Sequence, residues 1–354
     1  MQKSTMEAIV CYGPKDYRYE TDVALPVAGP NEMVIKVTAC GICASDCKCW
    51  QGAKMFWVTP GHEFFGEIVE MGEGSKGNFI TNDDERLEIG DRIIAEQIIP
   101  CKICRYCRSG KYWMCEVHNI FGFQKGVSEG GMAEYMLIPS TAIVHKIPKS
   151  LSLEDSAIIE PLACAIHTVN RGDIQLDDIV VIAGAGPLGL MMTQVAHLKT
   201  PKKLVVLDMV DERLDLARQY GADVTVNIKK ENVLQVVKEL SRGYGCDVYI
   251  ETSGYPGGVV QGLELIRKLG RFVEFSVFAG DTTVDWTIIG DRKELDIRGA
   301  HLAPYCYPVA IDLLVRGLCT SKGMVTHSYK LSEWDQAIAV ANSLESIKVL
   351  MIPE

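Results

Sequence analysis

The segment VVIAGAGPLGL, residues 180–190, constrains the fold more tightly than any other stretch of the chain. An apolar run ends at Gly184, a G-x-G-x-x-G pattern occupies Gly184, Gly186 and Gly189, and a helical pattern follows. Glycine turns are common, so the pattern gains meaning only from standing between a strand and a helix. Gly184 permits the tight turn, Gly186 lets the backbone approach a pyrophosphate, and Gly189 lets helix and strand pack closely. Pro187 and Leu188 open the helix, whose free N–H groups favour an anion. Nineteen residues after Gly189, at the end of the next apolar run, stands Asp208. A carboxylate there accepts from the ribose hydroxyls of NAD and repels the extra phosphate of NADP. Arg213 is a cation that would instead receive that phosphate, and a glycine turn with no ligand is the third reading.

Around this loop apolar runs alternate with amphipathic ones. Strands are predicted at 178–186, 203–208, 222–227, 246–254, 270–278 and 294–300, with helices near 187–199, 211–220, 231–242, 256–268 and 304–316. That alternation predicts an α/β fold with a doubly wound parallel sheet covered on both faces. Residues 1–100 differ. "EAIVCY", "MVIKVTACGI", "GEIVEMGEG" and "DRIIAEQ" read as short strands broken by Gly and Pro, a β-rich unit. Ser152 is a predicted N-cap opening one helix through "LEDSAIIEPLACAIHTV", and "LSEWDQAIAVANSL" predicts a last helix.

Cys101, Cys104, Cys107 and Cys115 have the spacing C-x2-C-x2-C-x7-C. Four thiolates so spaced close a tetrahedron around zinc and leave no position for substrate, so such a site braces a loop. Lys102, Arg105, Arg108 and Lys111 offset the charge of that centre. An iron–sulfur cluster and unligated thiols are the alternatives. A second set is scattered over "CGICASDCKCW", "PGHEF" and "IIEPLAC". A catalytic zinc needs about three protein ligands and an open position, and Cys43, His62, Glu63 and Glu160 are the candidates. Each alone is weak, since a Glu before Pro is commonly just a helix start.

Charge and cysteine usage narrow the partners. The net charge of −10 argues against nucleic acid, which is held by Lys and Arg. No apolar run reaches the roughly 18–20 residues of a membrane span, and no secretory signal is visible. The thirteen cysteines are odd in number and partly in metal spacing, which predicts a reducing, cytoplasmic setting.

"GICASD", "GHEF", the four-cysteine loop, "EPLACAIH" and "GAGPLGL" occur in the order found in zinc-dependent medium-chain dehydrogenases, and the chain resembles that family along essentially its whole length. The resemblance implies a GroES-like catalytic domain from 1–158 and 299–354, carrying the zinc lobe 96–117, with a Rossmann domain inserted at 159–298. It implies two zinc ions per chain, NAD as cofactor, and reversible oxidation of a small polyol's hydroxyl. Cys43 and His62 would be catalytic zinc ligands, as would Glu63 in the polyol branch. Glu160 would bind zinc directly or through a water, and Ser45 would accept the substrate's proton. Phe275, Ser276 and Val277 would lie along the nicotinamide. It also implies a homo-oligomer, with a tetramer favoured.

Three positions depart from the family pattern: Lys48 replaces a proton-relay histidine, Cys49 an aromatic, and Leu302 a substrate-side arginine of sorbitol-type enzymes. "CASDCKCWQGAKMFW" resembles the erythritol/threitol subgroup, with butanediol- and threonine-type enzymes as alternatives. Trp50, Phe56 and Trp57 either wall a small pocket or pack the loop. From other classes, a zinc-dependent interaction module and an NAD-binding redox sensor using Cys40, Cys43, Cys47 and Cys49 are competing readings. Cys11, Cys164, Cys246, Cys306 and Cys319 read as core residues, and His167 as a packing residue on the helix after Glu160, with contact to cofactor or substrate as the alternative.

Overall fold

In the computed structural model, residues 4–52, 57–75, 86–278 and 280–354 are described. The chain divides into two compact units, one of Met1–Glu160 with Pro304–Glu354 and the other of Pro161–Ala303. Phe56 lies outside the described residues.

The first unit is built on a sheet whose strands run in the order Val325–Lys330, Lys348–Ile352, Met33–Ile42, Glu63–Met71, Arg92–Ala95 and Val144–Lys146; Tyr135–Ile138 also pairs with Met33–Ile42. Strand Met33–Ile42 is therefore central, and it pairs antiparallel with both Glu63–Met71 and the tail strand Lys348–Ile352. Its register brings Gly41 opposite Glu63 and Leu350, which draws the "GHEF" segment and the C-terminal tail together. Ile35, Phe64, Ile68, Phe121, Met132 and Trp334 fill the core on this sheet. The helix Ala44–Gly52 starts directly after Cys43. Asp46 in its first turn accepts from the Cys43 backbone N–H at 2.8 Å, half of a capping box.

The second unit holds six parallel strands in the order Val224–Asn227, Lys203–Asp208, Ile179–Ala183, Cys246–Glu251, Ile266–Glu274, Asp296–Gly299. Ile179–Ala183 is buried throughout, as a strand covered on both faces must be. The strand order reverses between Ile179–Ala183 and Cys246–Glu251, the switch point at which open α/β sheets bind ligands. Glu251 and Glu274 are partners on neighbouring strands at the carboxyl end of this sheet.

Several boundaries differ from those predicted. The expected helix after Ser152 is two helices, Leu153–Ala157 and Ile159–Arg171, interrupted at Ile158. Ser152 does cap the first, accepting from the Asp155 N–H at 3.0 Å. The helix predicted at 256–268 stops at Leu265, and Ile266 already begins the next strand. That strand ends at Glu274, so Phe275–Val277 follow it as irregular chain. The last helix is Trp334–Ala341, preceded by a 3-10 turn at Leu331–Glu333.

Candidate functional site

Ligand-type atoms of Cys43, His62 and Glu63 lie within 4.8 Å of one another. His62 and Glu63 are buried, and Cys43 is half-buried. His62 lies between two groups on the helix after Cys43: its Nε2 is 3.5 Å from Ser45 Oγ and its Nδ1 is 3.5 Å from Asp46 Oδ1. A carboxylate behind a histidine orients the ring and raises its basicity towards a metal. Burial opposes the Cys43 thiolate, yet His62 beside it lowers the thiol to about 7. Burial likewise opposes the imidazolium, but Asp46 and then Cys43 push His62 well above its ordinary range. Soft sulfur, imidazole and carboxylate together suit zinc.

Cys43 alone among the cysteines of this helix region is lowered. Burial pushes Cys40 well up, Cys47 to about 12 and Cys49 to about 11. Those three are neutral thiols, and Cys40 and Cys47 belong to the core. Gly61 turns the chain into "GHEF" with φ +100°, and a Cβ there would sit 2.6 Å from Cys40 Sγ.

Glu63 has a partner that sequence reasoning missed. Its Oε2 is bonded to Nζ of Lys348, a lysine 1% exposed, which also donates to the Ile42 carbonyl at 3.2 Å. Burial lowers the Lys348 ammonium. A Cβ at Gly41 would collide with Glu63 Oε2 and lie 2.7 Å from Lys348 Cε, so the pair packs directly over the bare Gly41 backbone. A lysine inside the apolar tail "SIKVLMIP" was the available signal.

Glu160, 4% exposed, is not within this three-residue set. Its Oε1 accepts from Gln97 Nε2 at 2.6 Å, and Gln97 Oε1 accepts from the Tyr307 hydroxyl at 2.6 Å. Lys48 is exposed on the helix of Ser45. Trp50 packs on the core, whereas Trp57 is 53% exposed and lines a cavity of about 460 Å³ with Tyr12 and Tyr135.

The sulfurs of Cys101, Cys104, Cys107 and Cys115 also lie within 4.8 Å of one another. Backbone N–H groups of Cys101 and Cys104 donate to Cys115 and Cys101 sulfurs at 3.3 Å, the environment of thiolates. Hydrogen bonds from the Cys107 and Glu116 backbone lower Cys104 to about 6, while burial raises Cys107 to about 12. Cys101 and Cys107 sulfurs are 4.0 Å apart and all thirteen cysteines are free, so the cluster holds no disulfide and its four thiols remain available to a metal.

In the second unit Gly184 has φ +109°, a Cβ at Gly186 would meet open space, and one at Gly189 would collide with the Gly184 carbonyl oxygen. Gly186 therefore leaves a backbone-lined cradle before the helix Pro187–Leu198, which has Pro187 in its first turn and Leu188 beside it. Asp208 Oδ2 accepts from Ala185 N–H at 2.7 Å, and Oδ1 from Met209 and Val210 N–H, which fixes the carboxylate beside the glycine loop. Arg213 lies on the following helix, Asp211–Gln219. Ser276 Oγ accepts from Gly254 N–H at 3.0 Å, tying 275–277 to the neighbouring strand's loop; Val277 is 69% exposed. Leu302 has φ +53°. Burial, then Arg171 and His301, lowers His167 to about 4, so that imidazole is neutral. No helix among the described residues is long and apolar enough to cross a membrane.

Two family models match: "Alcohol dehydrogenase GroES-like domain" over residues 29–149 and "Zinc-binding dehydrogenase" over 187–316. The erythritol/L-threitol dehydrogenase of Mycolicibacterium smegmatis is 44% identical, with 98% of each chain covered. A zinc-binding dehydrogenase of Sinorhizobium meliloti solved with NADP superposes with TM-score 0.90 at 28% identity, covering 99% of this chain and all of that one. An Escherichia coli alcohol dehydrogenase solved with NADH gives 0.88 at 27% identity, with the same coverage.

Proposed function

Since this chain belongs to the zinc-dependent medium-chain alcohol dehydrogenases, we propose that it reversibly oxidises a hydroxyl of a small polyol, with a nicotinamide dinucleotide taking the hydride. The observation that carries this reading is the convergence of Cys43, His62 and Glu63 beside the Ser45 hydroxyl.

Zinc held by Cys43, His62 and Glu63 would supply Lewis acidity, making the substrate hydroxyl easier to deprotonate. Ser45 is the proton acceptor at Oγ, next to His62. Asp46 keeps the His62 ring oriented, and Glu160 stands by as an outer carboxylate held by Gln97. The four-cysteine lobe would hold a second, closed zinc that stabilises its loop. Gly184, Gly186, Pro187, Leu188 and Gly189 cradle the dinucleotide's pyrophosphate. Asp208 favours NAD, its carboxylate standing where a ribose 2′-phosphate would be repelled. Phe275, Ser276 and Val277 border the nicotinamide.

A tetritol is the favoured substrate, supported by the 44% identity to the erythritol/L-threitol enzyme and by the absence of an arginine at Leu302. The edge strand Asp296–Gly299, with Ile297 43% exposed, supports a homo-oligomer, for which we propose a tetramer. Free cysteines support a reducing, cytoplasmic setting.

The test is a panel of tetritols, pentitols and hexitols assayed with NAD and with NADP on protein of measured zinc content. Highest kcat/KM for a tetritol with NAD, at two zinc ions per chain, is expected. Turnover of simple alcohols but of no polyol would overturn the reading.

A further inference from the structure

The Gln97 side chain holds the Glu160 carboxylate by a hydrogen bond inside a buried network. Gln97 is 2% exposed, Glu160 4%, and Tyr307 fully buried. The Tyr307 hydroxyl donates to Gln97 Oε1 at 2.6 Å, and the Gln97 backbone N–H reaches back to the same hydroxyl at 3.2 Å. A hydroxyl has one hydrogen, and here it is committed to the amide oxygen. The amide can then present only N–H to Glu160, as the 2.6 Å bond from Nε2 to Oε1 records. Reversing the amide would set its oxygen against a buried carboxylate and leave the tyrosine hydrogen without an acceptor. Both changes are costly in a buried network.

The tyrosine is anchored in turn. Its ring stacks on His145 with centroids 5.3 Å apart and planes 16° apart. His145 Nε2 is 3.1 Å from Glu96 Oε1, and the other oxygen of Glu96 accepts from the Tyr112 hydroxyl at 2.8 Å. Tyr112 belongs to the four-cysteine lobe, between Cys107 and Cys115. Adjacent residues Glu96 and Gln97 thus serve the two candidate metal sites separately.

We infer that Gln97 is a positioning residue: with its amide oriented by Tyr307, it holds Glu160 outside the Cys43, His62 and Glu63 set. Glu160 is thereby reserved as an outer carboxylate. This rests on the reading of Cys43, His62, Glu63 and Glu160 as one catalytic site.

The experiment uses full-length protein carrying Gln97→Met, Tyr307→Phe, Glu160→Gln, or Gln97→Met with Glu160→Gln. Zn2+ affinity is measured by chelator competition and the visible spectrum is recorded after Co2+ substitution, with the four-cysteine site as internal reference. Tyr307→Phe removes a single oxygen and serves where Gln97→Met lowers the yield of folded protein. Partners behind a metal site alter affinity or activity by about 10–100-fold. Gln97→Met and Tyr307→Phe are each expected to change catalytic-site affinity by about 10-fold and to alter the Co2+ ligand-field bands. In the Glu160→Gln background the further effect of Gln97→Met is expected to fall below about twofold, because coupled residues are non-additive. If Glu160→Gln alters affinity and spectrum while Gln97→Met and Tyr307→Phe leave both unchanged, the inference fails and the catalytic reading stands. An unaltered Glu160→Gln protein overturns the place of Glu160 in the site, and the inference with it.

Discussion

Glu251 and Glu274 are direct neighbours across two parallel strands, paired where the six-stranded sheet ends. Glu251 is fully buried and accepts from the Ser253 backbone N–H at 2.9 Å. Burial, and then the Glu251 charge, raises the Glu274 carboxyl to about 7. Glu274 therefore holds its proton under conditions in which an ordinary glutamate has none.

The sign of the pH dependence follows. Glu274 binds its proton more tightly folded than unfolded, so stability is fully present below the ordinary glutamate range and declines as pH rises towards about 7. Glu274→Gln, which stays neutral at every pH, is expected to raise the melting temperature at pH 8 and to change it little at pH 5. Thermal unfolding of both proteins across that range checks it; a gain confined to low pH would contradict it.

Lys348→Met leaves Glu63 buried without a counter-charge, a change that typically costs about 3–5 kcal/mol. Adding Glu63→Gln to it is expected to restore most of the loss. Denaturant unfolding of the metal-free proteins measures both, and a single mutant as stable as the parent would mean the ion pair is not formed.

Ser45→Ala removes the hydroxyl beside His62. Turnover is expected to fall about 100-fold or more, as befits a lost proton acceptor, with zinc content unchanged at two per chain. Full activity at neutral pH would refute the role given to Ser45.

Cys107→Ser opens the four-thiolate set. One zinc fewer per chain and a lower melting temperature are expected before any loss of turnover in the surviving folded fraction. An inactive variant with unaltered melting would count against a bracing role.

What could be read from sequence was what short stretches decide for themselves. Gly184 and Gly189 are required by the positive-φ turn and the close helix contact in which they stand, and Gly186 leaves open the space that a pyrophosphate would take. Ser152 caps because an N-cap needs only its own next turn. The interruption at Ile158 was hidden, since the apolar spacing runs on unbroken through "SAIIEPLAC". Ile266 fits a helix's apolar face and a strand equally well, so the apolar spacing alone extends the helix past Leu265, where it ends. The pairings made by Gln97 and Lys348 were invisible for a different reason. Their partners lie 63 and 285 residues away, and no local pattern encodes such pairing.

The distance between Glu63 and Lys348 also sets a timetable. The whole second unit, Pro161–Ala303, must be made between the carboxylate and its ammonium. At translation rates of 5–20 residues per second, 285 residues take roughly 15–60 s. For that interval the nascent β-rich unit holds Cys43, His62 and Glu63 while its central strand lacks the neighbour Lys348–Ile352. The edge at Cys40–Ile42 is then open to other strands, so a chain cut short before the tail would be prone to aggregate through those three residues.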